Sequence, residues 1–502
     1  MLCLLGAGRN RLGSSARTIR YTAAAVARFF GTSPPTTMSA SRTTTKTVVV
    51  LGVAYGGGHV AKMLAASLPP DWRVVAIDRN SHMNHVYVFP RFVVKPELAP
   101  KAYIPYKAVF EPVVRDADKK KEDYGKDTAA DAAVPPTPPK TPPPPSKHSM
   151  LQGLVTRLER NRVTYVRPNA AGSYGADDSE KPPADRTETL EFDYAVYALG
   201  ASLPAPVDVW GTGGASRGTK AGGMAWMEKT GGVMGEAERV LVVGGGALGI
   251  QYATDLKDVY PDKEVTLLHS RKRLLPIYPE GVHDAVVSRL DALGIRAVLG
   301  ERVLEWPENP GTLDGVEKVV KTDAGNTYAA DLVLVCTGPK AHVGLMRALD
   351  ERAISPVTGR IRVSPTTQVS LAPVAPFEPA PAADAADADA AEALAKLALD
   401  TPTIPNIFAI GDCAQTAAIQ AGHTSYYQGE VAARNIIRLI KGEADELEDY
   451  APGVPAIKVT LGLKHWVMAN TDGVTSGDDG VEHLLARYMW PLFGADDCPD
   501  HE

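Results

Sequence analysis

The chain has 502 residues, 44% of them hydrophobic and 22% charged, with a formal net charge of -6. This length exceeds what one hydrophobic core organises, so two or three globular domains are expected. The acidic balance gives no global attraction to nucleic acid, and no apolar run reaches the roughly 18 residues of a spanning helix.

The first 70 residues contain no Asp or Glu, while Arg9, Arg11, Arg17, Arg20 and Arg28 punctuate a Ser-, Thr- and Ala-rich stretch. This is the composition of a mitochondrial transit peptide, so residues 1–45 are set aside from the fold and a mitochondrial location is expected. A disordered tail, or a cytoplasmic protein begun at Met38, are the alternatives. Folding is expected to begin at the strand TVVVLG, which runs into Gly52, Ala54, Gly56 and Gly57. Those residues approximate the dinucleotide turn G-x-G-x-x-G, with Ala54 where the second glycine belongs. The next strand, WRVVAID, ends in Asp78 about 20 residues on, where a ribose-binding carboxylate is expected, with Arg79 beside it. The methyl group of Ala54 should displace the turn slightly and shift phosphate contact toward Gly56 and Gly57.

Residues 116–149 turn charged and Pro-rich (KKKED, VPPTPPKTPPPPSK) and read as an insertion without a core. Strands resume at RVTYV and at FDYAVYALG, which ends in Gly200; GTGGASRGTKAGG then reads as a glycine-rich linker. After it the pattern restarts. RVLVVGGGALGIQYATDL carries the complete turn Gly244, Gly246 and Gly249, with Ala247 opening the helix and Gln251 one turn along. The strand KEVTLLHS ends in His269, where an NAD site commonly places Asp or Glu, and Arg271, Lys272 and Arg273 follow. Arginine pairs with a 2'-phosphate where a carboxylate repels it, so NADPH is expected to be accepted; a solvated basic loop is the alternative. LVLVCTG, ending at Gly338, repeats the pattern of AVYALG. The chain therefore reads as two β-α-β halves, an internal duplication.

A second insertion covers about residues 372–400, and TIPNIFAIGDCAQT then ends an apolar strand in Gly-Asp at Asp412. In flavoproteins with two dinucleotide domains such an aspartate binds the ribityl chain of FAD. Its place after both turns is expected if the chain leaves an FAD domain, builds an NAD(P) domain and returns. The helix SYYQGEVAARNII would aim its N-terminus at the flavin, with Gln428 as the expected contact. The last 50 or so residues form a third, smaller unit, in which HLLARYMWPLF is expected to be buried rather than to touch a membrane or partner. The expected fold class is α/β with two Rossmann-like domains, the NAD(P) domain inserted in the FAD domain. Its boundaries are 46–215 and 346–445 for the FAD parts, 236–345 for the NAD(P) domain and 446–502 for the C-terminal unit. The four cysteines, Cys3, Cys336, Cys413 and Cys498, form no close pair, so neither a dithiol centre nor a zinc site is indicated.

The three motifs, their order, and the segments YALGASLPAP and VCTGPK resemble the pyridine nucleotide-disulfide oxidoreductases. GGGALGIQYATDLKDVYPDKEVTLLHS, IFAIGDCAQT and MANTDGV are similar to the apoptosis-inducing-factor-like group of AMID or ferroptosis-suppressor type. The resemblance spans roughly residues 47–490 without the insertions. It implies FAD, oxidation of NADH or NADPH, and electron transfer to a quinone or similar small acceptor. It also places Asn84, His85 and Arg91 of NHVYVFPR near the flavin, His85 being either structural or a proton donor to the acceptor. Three departures stand out: Gln251 replaces a glutamate that often helps place the nicotinamide in members, with Leu2 after Met1 the myristoylation signal of some relatives is not expected, and unpaired cysteines disfavour disulfide substrates. A type II NADH dehydrogenase and a redox-controlled signalling flavoprotein are the alternative readings.

Overall fold

The computed structural model describes residues 45–110, 146–174, 184–204, 206–210, 217–371, 402–496 and 498–500. The proposed transit segment and nearly all of both insertions lie outside them. In chain order, the elements that position the site begin with strand β1 (Lys46–Leu51), helix α1 (Tyr55–Ser67), strand β2 (Trp72–Asp78) and helix α2 (Phe89–Val94). Strands β3 (Ser149–Gln152) and β4 (Tyr194–Tyr197) complete the first pass through the first sheet. Helix α3 (Lys220–Glu236) leads to β5 (Arg239–Val243), α4 (Ala247–Val259), β6 (Glu264–His269), β7 (Arg296–Leu299) and β8 (Leu332–Val335). The chain then returns through β9 (Gln368–Ser370), β10 (Thr403–Ala409) and helix α5 (Gly422–Lys441), and ends in β11 (Ile457–Thr460), β12 (Trp466–Asn470) and β13 (Gly473–Gly477).

The first sheet has the order β9-β10-β4-β1-β2-β3, parallel except for the β9-β10 pair, and the second the order β7-β6-β5-β8, parallel throughout. Covering both faces of a parallel sheet requires strands that are apolar on both sides, and Val48–Leu51 are fully buried accordingly. Each half carries an antiparallel three-stranded sheet between its penultimate and last parallel strands. These comprise Leu154–Leu158, Arg162–Val166 and Thr187–Glu191 in the first, and Val303–Glu305, Lys318–Thr322 and Thr327–Ala330 in the second. The duplication seen in the sequence thus extends beyond the turns. The return is also present: Ile407 of β10 pairs with Ala195 of β4 after the whole second sheet has been built.

Two sequence readings change. The first insertion was drawn to residue 149, yet Ser149 already pairs with Val75 as the start of β3. The glycine-rich linker is partly helix, because α3 starts at Lys220 with Thr219 Oγ1 accepting from Gly222 N at 3.0 Å. Gly223 and Gly231 of α3 are spacers for close packing. A Cβ on Gly223 would stand 2.5 Å from the Tyr103 ring, and one on Gly231 2.2 Å from the Val93 carbonyl oxygen. In the terminal HLLARYMWPLF segment Ala486, Met489, Trp490 and Phe493 are buried and the other residues half-buried, with Trp490 donating to the Lys101 carbonyl at 3.2 Å.

One ion pair ties three regions together. Arg91 of α2 and Asp255 of α4 are both 0% exposed and lie 2.8 Å apart. The same guanidinium donates to the carbonyls of Gly462 at 2.6 Å and of Leu463 and Glu482 at 3.3 Å, all three in the C-terminal unit. Beside it, Asp258 accepts from Arg289 at 2.8 Å and from Leu463 N at 2.8 Å. Removing one partner strands a buried charge, whereas replacing both with apolar residues of similar volume can be neutral. Arg91→Met should therefore cost about 3–5 kcal/mol, read as a lowered thermal midpoint, and the double variant Arg91→Met with Asp255→Leu should recover most of that loss.

Candidate functional site

Both glycine turns are built to one plan. Each leaves its strand through a glycine with positive φ, Gly52 at 87° and Gly244 at 125°. A Cβ there would stand 2.4 Å from the Ala198 carbonyl oxygen in the first turn and 2.2 Å from that of Cys336 in the second. A Cβ on Gly57 would lie 1.9 Å from the Gly52 oxygen, and one on Gly249 1.9 Å from the Gly244 oxygen. Strand, turn, helix and the neighbouring strand end meet through bare backbone. Helices α1 and α4 start with no side-chain cap and no acid in the first turn. Their leading N–H groups and positive dipole ends suit a pyrophosphate.

The Ala54 substitution has a local cause. Its methyl packs against the cluster of Met83, Ile104, Met489, Trp490 and Phe493, which joins the C-terminal segment to the first turn. Ala54 (φ -66, ψ -148) has nearly the backbone conformation of Gly246 (φ -82, ψ 178). Gly56 and Gly57 supply leading N–H groups of α1, while their α-carbons serve packing. A Cβ on Gly56 would lie 2.7 Å from the Ser425 carbonyl oxygen of α5, and Gly57 faces Gly52, so both α-carbons are committed to packing. By contrast, Gly246 faces open space to 4 Å.

The ends of β2 and β6 occupy the same place with different chemistry. Asp78 Oδ2 accepts from Val53 N at 2.8 Å, its Oδ1 from Asn80 N at 2.8 Å, and Tyr106 reaches Oδ2 at 3.4 Å; burial pushes the carboxyl up. His269 Nδ1 accepts from Gly245 N at 3.1 Å, the bond equivalent to that of Val53. An accepting Nδ1 puts the imidazole proton on Nε2, which is buried with no partner among the described residues. Burial, with Arg271 nearby, pushes this imidazole below its ordinary value and keeps it neutral. Arg271 and Lys272 are exposed, whereas Arg273 is tied to the carbonyls of Pro276 and Tyr278. Arg79 stacks 4.0 Å from the Trp210 ring centre, a partner 131 positions away that no local pattern announces.

On the other side of the first turn, Gly411 (φ 74) and Asp412 follow β10, and burial pushes the Asp412 carboxyl up. Gln428 is corrected. Its Oε1 accepts from Gly411 N at 2.7 Å and its Nε2 donates to Thr416 at 3.1 Å, so it braces the Gly-Asp turn, 2% exposed, instead of reaching a flavin. Helix α5 begins at Gly422, whose N–H donates to the Tyr87 hydroxyl at 2.6 Å. Arg91 is corrected too: its guanidinium is held by Asp255 and three carbonyls. His85 Nδ1 bonds the Tyr55 hydroxyl at 2.9 Å, and burial pushes its imidazole down to about 3. Asn84 Oδ1 and His85 Nε2 are buried without partners among the described residues. Gly200 (φ 65) and Gly338 (φ 113), at matching ends of the two halves, face open space to 4 Å. Gln251 Nε2 donates to Thr460 of β11 at 2.9 Å, so it faces the C-terminal sheet.

The pyridine nucleotide-disulphide oxidoreductase family matches residues 46–374. The chain belongs to that family. It is 33% identical over 459 residues to Fe-regulated protein 8 of Mycosarcoma maydis, covering 89% of this chain and 95% of that one. Ferroptosis suppressor protein 1 of Homo sapiens is 24% identical over 424 residues, covering 83% and 86%. The structure of NDH2 from Plasmodium falciparum in complex with NADH shares the fold at a TM-score of 0.57 and 10% identity, covering 91% of this chain and 99% of that one. Members of this oxidoreductase family use FAD with a nicotinamide dinucleotide, and this chain is an NAD(P)H-dependent flavin oxidoreductase. Its uncapped helix starts, open glycine faces and orphaned buried atoms fit those two cofactors.

Because Arg273 is engaged elsewhere, Arg271 and Lys272 are the cations available to a 2'-phosphate. The double substitution Arg271→Ala, Lys272→Ala should lower kcat/KM for NADPH about tenfold or more and leave NADH nearly unchanged. His269→Asp should shift preference further toward NADH, and the affinities of ADP-ribose with and without a 2'-phosphate should follow the same order.

Proposed function

We propose that this oxidoreductase passes electrons from NAD(P)H by way of FAD to a quinone-class acceptor that meets the flavin directly. The observation that carries the reading is the state of the thiols. Cys336 and Cys413 are free and buried, and burial pushes each thiol up to about 12. Thiol exchange needs a thiolate, and a dithiol relay needs two thiols able to meet. Neither buried cysteine offers one, and Cys498, the third free cysteine among the described residues, is bonded to neither, so a dithiol relay finds no support among the described residues, and a small acceptor at the flavin itself does. The likeness to ferroptosis suppressor protein 1 supports the same class.

Bound FAD would take hydride from NAD(P)H and release two electrons to the acceptor, chemistry that belongs to the cofactor. The chain's part is to bind and orient. The N–H groups opening α1 and α4 would hold the two pyrophosphates, Asp78 the adenosine ribose and Asp412 the ribityl chain. His85, neutral and bonded to Tyr55, has no proton to give as a cation near pH 7. NADPH or NADH should bleach the flavin absorbance anaerobically, and a short-chain benzoquinone should restore it. The variant with Cys336→Ala and Cys413→Ala should retain that cycle; loss of quinone reduction in this variant, with flavin still bound and bleached, would contradict the reading.

A further inference from the structure

The segment between β2 and α2 holds an aromatic cluster that the roles above do not use. The Tyr55 ring, from the first glycine turn, stands 5.2 Å from that of Tyr87 and 6.1 Å from His85, and the His85 and Tyr87 rings are 6.2 Å apart. Tyr87 lies where three cofactor motifs converge. Tyr55 belongs to the first turn, Gly422 opens helix α5, and Asp412 is close enough for its charge to act on the phenol.

The hydroxyl of Tyr87 is polarised by its surroundings. Its oxygen accepts from Gly422 N at 2.6 Å, the first N–H of a 20-residue helix. With that bond accepted, the phenol still has its own O–H to donate. What remains is the proton, for which no described side chain is an acceptor. Amides that donate to an oxygen at the positive end of a helix strengthen that oxygen's own O–H as a donor. Burial pushes the phenol up to about 12, so the proton stays in place throughout the working range. The neighbouring His85 has its Nδ1 engaged by Tyr55 and its Nε2 buried.

The surroundings also suit an apolar ring. Val86, next in the chain, is 42% exposed. An exposed aliphatic residue next to Tyr87 in the chain, together with an O–H left to donate, suits a flat apolar molecule with a carbonyl edge.

We propose that Tyr87 is the hydrogen-bond donor that seats the carbonyl oxygen of the quinone acceptor and stabilises the negative charge that develops there during reduction. The proposal rests on the quinone reading above. The acceptor gains two electrons and one hydrogen as hydride from the NAD(P)H-reduced flavin, and the second hydrogen comes from water, giving the quinol. Tyr87 keeps its own proton and lowers the barrier as charge reaches the oxygen. Ferricyanide takes single electrons and has no carbonyl, so it has no need of this donor.

The test is Tyr87→Phe, purified with FAD and assayed with a short-chain benzoquinone and with ferricyanide. Quinone kcat/KM should fall about tenfold or more, while flavin bleaching by NADPH and ferricyanide reduction stay unchanged. The dissociation constant of the benzoquinone for the oxidised protein, measured without nicotinamide, should weaken about threefold to tenfold. Equal loss with both acceptors, unchanged quinone kinetics, or a variant that cannot retain FAD would each overturn the proposal and leave Tyr87 a cap on α5. A wild-type protein that reduces ferricyanide but no quinone would overturn the acceptor reading itself, and this proposal with it.

Discussion

The architecture depends on four places where backbone touches backbone with no room for a side chain. At Gly52 and Gly244 a strand end meets its neighbour's carbonyl, and at Gly57 and Gly249 a helix meets the turn that begins it. A single methyl group at the latter pair would sit 1.9 Å from a carbonyl oxygen, far inside van der Waals contact. These contacts bring each helix start close to its sheet and leave the leading N–H groups over the gap between strand ends. Binding of a dinucleotide in either half follows from that placement, so the packing constraint precedes the chemistry.

Much of this was legible in the sequence because it is local. Apolar strands running into glycine, a carboxylate about 20 residues on, and a Gly-Asp strand end far downstream are each patterns over a dozen or two residues. Their order alone carried the insertion of one dinucleotide half within the other, and β10 pairing with β4 bears it out. What escaped was decided by distant partners. Gln428 looked like a ligand contact and is a brace, since Gly411 and Thr416 take both ends of its amide. Tyr87 received no role because its partner, Gly422, lies 335 positions away. Arg91 did leave a trace. An arginine inside the apolar run FPRFVV has to find a buried anion or carbonyls, and that reasoning would have moved it away from the flavin.

The same logic accounts for the two departures within the motifs. Ala54 and His269 occupy positions at which the motif has a single expected residue, and each is explained by what it touches. Ala54 adds its methyl to the cluster around Trp490 that docks the C-terminal segment. His269 performs the structural task of Asp78, accepting the N–H that follows the first glycine, without placing a negative charge near the ribose. One substitution records a packing demand and the other a change of electrostatic sign.

The Arg91 site has a consequence for how the molecule comes apart. Its partners are drawn from α4 and from two separate stretches of the C-terminal unit, so losing α2 or α4 leaves a bare charge in the interior, and losing the C-terminal unit strips the guanidinium of three acceptors. Regions coupled in this way lose their order as one cooperative block instead of fraying in sequence. For the cofactors, this means that the flavin's surroundings and the nicotinamide's surroundings share one melting event.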